Sequence, residues 1–494
     1  MPGPLRGLAG KSGWGVTSWL ALGAYSFVLT ALVFRQLGPP LYGLWAVIVS
    51  MRSLLMLLDS GLAFGVTRDV VLSRDDAAAR QRVAGAYRLY LGIGGAVIVL
   101  GFALSGVPAL LLHLSGSSVG LSRLVTMIVV ADTAIALASS PLYATLRGRS
   151  RFDLIAAAST IQSAVGLLAA WLLIHRWGLP GVAGATLGSR VIAGCFVLAL
   201  VSATGLRPWR SSVSAPTLLA VMRFAAPLYV MTVASQIAIG SDVPIVGAFY
   251  GSVATASYAL GAAIPVAAAA LLFTVLDVAF PSLSGTAQGQ SGRLLGAMMI
   301  VGGALGALGF ATIALNSAAL LKVWVGAAPT VAIAVMVIYS ATWLFNVPGH
   351  VLAIGAIAQG QHNILAPVVL IESLVNVSLS VLLAATYSPI GPAIATLVTL
   401  FVSNMIVLPL ILRRRLQLSF RRQGLQVVLS MGLGLALSLI VWLISVRLTV
   451  PSHQLIGAFI GTLVAALLIL LAGPRVRNES IRLLTLARLR GKRV

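Results

Sequence analysis

The chain has 494 residues, 59% hydrophobic and only 9% charged, against roughly 25% charged in an ordinary soluble domain, so a soluble globule is excluded. A mean hydropathy of +1.03 supplies apolar sequence for about fourteen spans of roughly 20 residues each, and continuous runs such as Val266 to Phe273 lack the alternation of a transmembrane β-barrel. The 33 Lys and Arg against 10 Asp and Glu give +23, which in a membrane protein reflects cytoplasmic loops facing anionic lipid headgroups rather than a nucleic-acid partner.

In chain order, apolar runs bounded by Gly, Pro or charge clusters predict an all-α polytopic membrane protein of about fourteen helices. Six spans fall near 14–34, 41–60, 87–112, 123–145, 153–175 and 181–203. A polar, basic stretch from Thr204 to Ser214 follows, then six more spans near 224–247, 257–282, 294–317, 329–355, 364–386 and 391–412. Beyond the basic run Arg413, Arg414, Arg415, Arg421 and Arg422 lie two last spans, 425–446 and 454–472, and a basic tail. The first run, Trp14 to Phe34, is too long for a signal-peptide core and lacks a small-residue cleavage site before Arg35, so it reads as a retained span.

Sorting the basic residues by loop with the N-terminus inside puts twenty-six on the cytoplasmic side, five outside (Arg35, Arg123, Arg176, Lys322 and Arg447) and two, Arg52 and Arg190, within spans. The positive-inside rule then expects both termini in the cytoplasm.

The sequence also repeats. Ile161 to Leu187 aligns without a gap on Ile371 to Leu397 at an offset of 210, with matches at Ser163/Ser373, Leu173/Leu383, Gly181/Gly391, Ala183/Ala393 and Thr186/Thr396 among others. At an offset of 213, Gly38, Gly43, Trp45 and Ala46 align with Gly251, Ala256, Tyr258 and Ala259. Each offset steps over six spans, an even number, so the copies keep their orientation and form parallel repeats about an axis along the membrane normal. The expected organisation is a six-helix lobe over 1–206, a second over 207–416, a central cavity between them, and two extra helices with a basic tail over 417–494.

The stretch Arg35 to Trp45, with Gly38, Tyr42 and Gly43, resembles the turn after span one of bacterial polysaccharide and O-antigen flippases in the multidrug/oligosaccharidyl-lipid/polysaccharide exporter superfamily. Leu58 to Leu62, Leu146 to Phe152, Asp242 to Tyr258 and Glu372 to Asn376 are similar to that family in the same order. The resemblance implies a flippase, not an enzyme. It would carry undecaprenyl-diphosphate-linked oligosaccharide repeat units from the cytoplasmic to the periplasmic leaflet of the bacterial inner membrane by alternating access, for O-antigen lipopolysaccharide or exopolysaccharide. A polysaccharide polymerase and glycosyltransferases are the implied partners beside anionic lipids.

A charge in the hydrocarbon region costs at least about 2.5 to 3.5 kcal/mol on insertion scales and needs a partner or a wet cavity. Arg190, near the middle of span six, and Arg52, in span two, carry planar forks suited to a diphosphate. The competing reading pairs Arg190 with Asp132 of span four and lets Arg52 snorkel toward the inner headgroups. Glu372, Asp242 and Asp132 are candidates for coupling transport to an ion gradient, while Asp277 lies close to a helix end. Gln236, Asn376 and Asn404 could line a cavity or bond between helices. Together Arg52, Arg190, Gln236 and Asn376 form the expected substrate set.

The mixed-charge loop from Asp59 to Arg82 reads as a solvated gate or interfacial segment. The five histidines show no metal spacing, the single Cys195 can form no intramolecular disulfide or cysteine-built metal site, and the Gly302 to Gly309 run lacks a Lys-Ser/Thr ending. No cofactor is expected. The alternatives are a cation-coupled multidrug antiporter, disfavoured because span one contains no acid, a lipid-linked peptidoglycan precursor flippase, and an inactive scaffold for glycosyltransferases.

Overall fold

A computed structural model describes residues 4–59, 62–72, 77–203, 233–277, 288–413, 415–416, 420–448 and 450–472. All regular structure among them is helical. The elements are α1 (Pro4–Leu55), a 3-10 turn (Met56–Asp59), α2 (Leu62–Leu72), α3 (Ala77–Ala103), α4 (Val107–Leu111), α5 (Ser117–Gly148), α6 (Phe152–Ala203) and α7 (Asp242–Asp277). Then come α8 (Gln288–Leu315), α9 (Ser317–Val325), α10 (Thr330–Ala358), α11 (His362–Thr386), α12 (Gly391–Phe401), a π-helical turn (Val402–Val407), α13 (Leu408–Leu412), α14 (Phe420–Ser445) and α15 (Pro451–Ala472).

Eleven helical stretches among the described residues are long and apolar enough to cross a membrane. In lipid every backbone N–H and C=O must be satisfied within the segment, which is why apolar runs of this length become helices. Three of the stretches break once, at Gly38 in α1, Gly178 in α6 and Gly251 in α7. All three glycines have positive φ, a region that L side chains rarely enter. The breaks fall where the sequence predicts turns between spans one and two, five and six, and seven and eight.

The chain divides into two compact units, Met1–Ala256 and Ser257–Val494. In the first, α5 is a central staff that packs against α2, α3 and α6, while α1 runs along α6. In the second, α8 packs against α10 and α14, and α11 pairs with α12.

The sequence repeat has a structural counterpart. Gly38 and Gly251, aligned at offset 213, share one backbone conformation, φ/ψ 77/174 and 72/−171. At offset 210 both turns close glycine against leucine: a Cβ on Gly181 would meet the Leu173 carbonyl oxygen at 2.6 Å, and one on Gly391 the Leu383 carbonyl oxygen at 2.5 Å.

One expectation changes. The mixed-charge loop contains the helix α2, whose Val66 and Val70 are buried against α3 and α5. Asp59 accepts hydrogen bonds from Tyr90 and from Ser140 Oγ at 2.8 Å, so this end of the loop is packed rather than solvated. The apolar face of α2, hidden among charges in the sequence, drives that docking. The span predicted at 391–412 is one apolar helical stretch, Gly391–Leu412, with a π-helical turn at Val402–Val407.

Candidate functional site

Asp132 lies midway along α5, among Val129, Val130, Thr133 and Ala134, all buried. It is itself only 2% exposed. Arg52 reaches it from the last turn of α1 and Arg190 from the part of α6 beyond the Gly178 break. Arg52 Nε donates to Asp132 Oδ2 at 3.0 Å, and Arg190 Nε donates to Oδ1. One carboxylate therefore bridges two guanidinium groups and leaves the cluster with a net charge of +1.

Both bonds use Nε, so the Nη forks of the two arginines stand outside them. The arginine side chains are 25% and 21% exposed while Asp132 is almost wholly covered. The carboxylate thus serves as an internal counterion that holds like charges side by side, and the Nη donors are left over from these two bonds. Tyr25 adds a buried hydroxyl that has no hydrogen-bond partner among the described residues. Its ring edge fits because position 166 is glycine: a Cβ there would meet Tyr25 Cε2 at 2.8 Å and Ser189 Oγ at 3.0 Å.

Arg190 pairs with Asp132, as the ion-pair reading of the sequence has it. Arg52 does not snorkel alone to the headgroups but shares the same carboxylate, because the end of α1 lies against α5.

A second polar cluster joins α11 to α12. Asn376 Nδ2 donates to Thr396 Oγ1 at 3.1 Å and to Thr399 Oγ1 at 3.0 Å, while its Oδ1 is buried with no partner among the described residues. Glu372, one turn earlier on α11, faces the buried Ser403 hydroxyl of the π-helical turn. π-helical turns occur frequently at functional sites. Asn404 packs so tightly on Gly349 of α10 that a Cβ at 349 has no room.

The seven predicted residues fall in two units. Arg52, Asp132 and Arg190 meet in the first, which also holds Asp242, fully buried in the first turn of α7, and Gln236, exposed on the helical stretch that begins at Val233. Glu372 and Asn376 lie on successive turns in the second. Sequence reasoning missed Tyr25, although a lone tyrosine in an acid-free apolar span was a visible signal. It also missed the pairing of Asp277 Oδ1 with His350 Nε2 at 3.0 Å, where the imidazole stacks on Phe273 with centroids 4.1 Å apart. Among the described residues no group of His, Cys, Asp and Glu could hold a metal ion.

The family model described as polysaccharide biosynthesis protein matches residues 11–287, more than half of the chain. No curated protein matches it. Among solved structures, the lipid II flippase MurJ in its inward closed conformation superposes with a TM-score of 0.75 at 13% identity, covering 93% of this chain and 98% of that one. An inward-facing multidrug resistance transporter of the MATE family in the MOP superfamily gives 0.64 at 17% identity, covering 81% and 94%. A MOP superfamily transporter from Pyrococcus furiosus gives 0.59 at 16% identity, again covering 81% and 94%. These likenesses are of fold.

Proposed function

The chain belongs to the polysaccharide biosynthesis protein family, and from that membership and its MOP transporter fold we propose that it is a flippase for undecaprenyl-diphosphate-linked oligosaccharide repeat units. The substrate moves from the cytoplasmic to the periplasmic leaflet of the bacterial inner membrane by alternating access of two six-helix repeats, 1–206 and 207–416, with both termini cytoplasmic. The observation that carries this reading is the Arg52–Asp132–Arg190 cluster. Ionisable residues within spans are rare and mark substrate or ion pathways, and guanidinium forks match diphosphate oxygens. Asp132 keeps the pair neutralised enough to insert and positions both forks.

Gln236 and Asn376 serve the glycan part of the substrate. Glu372, with Asp242 and Asp132, is the coupling set for an ion gradient; the Ser403 hydroxyl that faces Glu372 and the unpartnered Asn376 Oδ1 one turn along α11 support that role. Surface-polysaccharide glycosyltransferases supply the substrate and a polymerase consumes it.

Deleting the gene and extracting lipids tests the reading. Diphosphate-linked glycan accumulating on the cytoplasmic leaflet, with surface polysaccharide lost and restored by complementation, is expected. Unchanged lipid intermediates together with altered drug tolerance would replace the flippase by an antiporter.

A further inference from the structure

α3 stops at Ala103 and α4 starts only at Val107. Where the helix wall is interrupted, the first unit holds a cavity of about 200 Å³ between α1, α3, α4 and α5. Ile48, Leu55, Gly101 and Val129 line it, and Leu104, 45% exposed, stands at its wall. Two hydroxyls also face this region, but both are engaged elsewhere: Thr126 Oγ1 donates to the Ser122 carbonyl and Thr133 Oγ1 to the Val129 carbonyl, each at 2.7 Å. The wall is therefore effectively apolar and a poor place for water, which needs two to four polar partners.

One lining residue is charged, and it is Arg52. The side chain whose guanidinium donates to Asp132 also lines one side of the apolar cavity, so a group that can bind phosphate and a hydrocarbon-sized void belong to one residue's surroundings. That juxtaposition has the chemistry of one kind of molecule: a diphosphate esterified directly to a hydrocarbon, with no polar spacer between. A phospholipid differs, since glycerol and two ester groups separate its phosphate from its chains. An apolar cavity of about 150 Å³ accommodates benzene, so this one takes a five-carbon isoprene unit.

We propose that the cavity beside Arg52 is a subsite for the isoprene unit next to the diphosphate of the transported lipid, so that the protein reads the prenyl–diphosphate junction in addition to the charge. This rests on the reading of Arg52 and Arg190 as the diphosphate site. The subsite lets the flippase tell a prenyl diphosphate from inorganic pyrophosphate and from glycerophospholipids, which share only part of that chemistry.

Isothermal titration calorimetry on the purified full-length chain in detergent tests this with two water-soluble probes, inorganic pyrophosphate and dimethylallyl diphosphate, which adds a single isoprene unit. Burying about five carbons predicts at least roughly tenfold tighter binding of dimethylallyl diphosphate. Val129→Phe fills the cavity from within and Leu104→Trp fills it from its exposed wall, so that misfolding of one leaves the other. Either should erase the preference and leave pyrophosphate binding intact. Equal affinity of the wild type for both probes overturns the subsite while leaving the charged site standing, and so does a preference that survives both substitutions. Binding of neither probe overturns the diphosphate site itself, and the subsite with it.

Discussion

Arg52 on α1 and Asp132 on α5 are joined Nε to Oδ2 at 3.0 Å, and the second oxygen of that carboxylate is taken by Arg190. Removing a shared, almost fully covered counterion therefore leaves two like charges facing each other. Breaking a buried pair on one side costs about 3 to 5 kcal/mol, and the partial exposure of both arginines brings this toward the low end. Asp132→Asn should lower the thermal unfolding midpoint in nanodiscs sharply, with Asp132→Glu much closer to wild type. Adding Arg52→Gln to the Asp132→Asn variant should recover part of the loss, since it removes one of the stranded charges. A double variant no more stable than Asp132→Asn alone would mean that the bridge carries little.

The guanidinium forks make a different prediction for activity. Arg52→Lys and Arg190→Lys keep the charge but lose the planar pair of donors. Complementation of a deletion strain should therefore fail with lysine nearly as badly as with alanine. Full surface polysaccharide in both alanine variants would remove the site.

Glu372 is expected to act on transport and not on recognition. Glu372→Gln should slow flipping in proteoliposomes and abolish its response to an imposed ion gradient, while pyrophosphate affinity measured by calorimetry stays within about twofold, well under 1 kcal/mol. Undiminished gradient dependence in this variant would take Glu372 out of the coupling set.

The two repeated turns should answer alike. Gly181→Ala and Gly391→Ala each drive a methyl group into a leucine carbonyl, so each should destabilise by about 1 to 3 kcal/mol, the cost of overpacking. Gly309→Ala in α8 meets nothing within 4 Å and should be neutral or stabilising by about 0.5 to 1 kcal/mol. Thermal unfolding of the three variants side by side separates these outcomes.

Tyr90→Phe removes one of the two hydroxyls that hold Asp59, leaving Ser140. A carboxylate that loses a donor in a packed corner should cost about 1 to 3 kcal/mol. Hydrogen exchange should show α2 opening more readily than α5 in this variant, and equal protection in mutant and wild type would deny Asp59 its anchoring role.

Much of this protein was legible in its letters. Hydropathy placed the spans, because backbone polarity leaves a chain in lipid no choice but a closed helix. Gly38 and Gly251 align at offset 213 in the turns after spans one and seven, and both take the positive φ that has few other occupants. That Arg52, Asp132 and Arg190 lie inside apolar helical stretches was also readable, since charge in an apolar run is conspicuous.

Position along an apolar run, however, does not say which way a helix turns. In water an amphipathic stripe tells which face is buried, but here lipid and protein interior are equally apolar. Leu374 and Val375 of α11 are 63% and 50% exposed while Val335 of α10 is fully buried, and no periodicity in the letters separates them. Rotation was decided by close approaches and polar contacts: glycine against carbonyl at Gly181 and Gly391, Asn376 between Thr396 and Thr399, and two arginines on one aspartate. Tertiary packing alone put both guanidinium groups on Asp132, and it alone left the void between α3 and α4 beside Arg52, because both depend on which faces of α1, α5 and α6 meet.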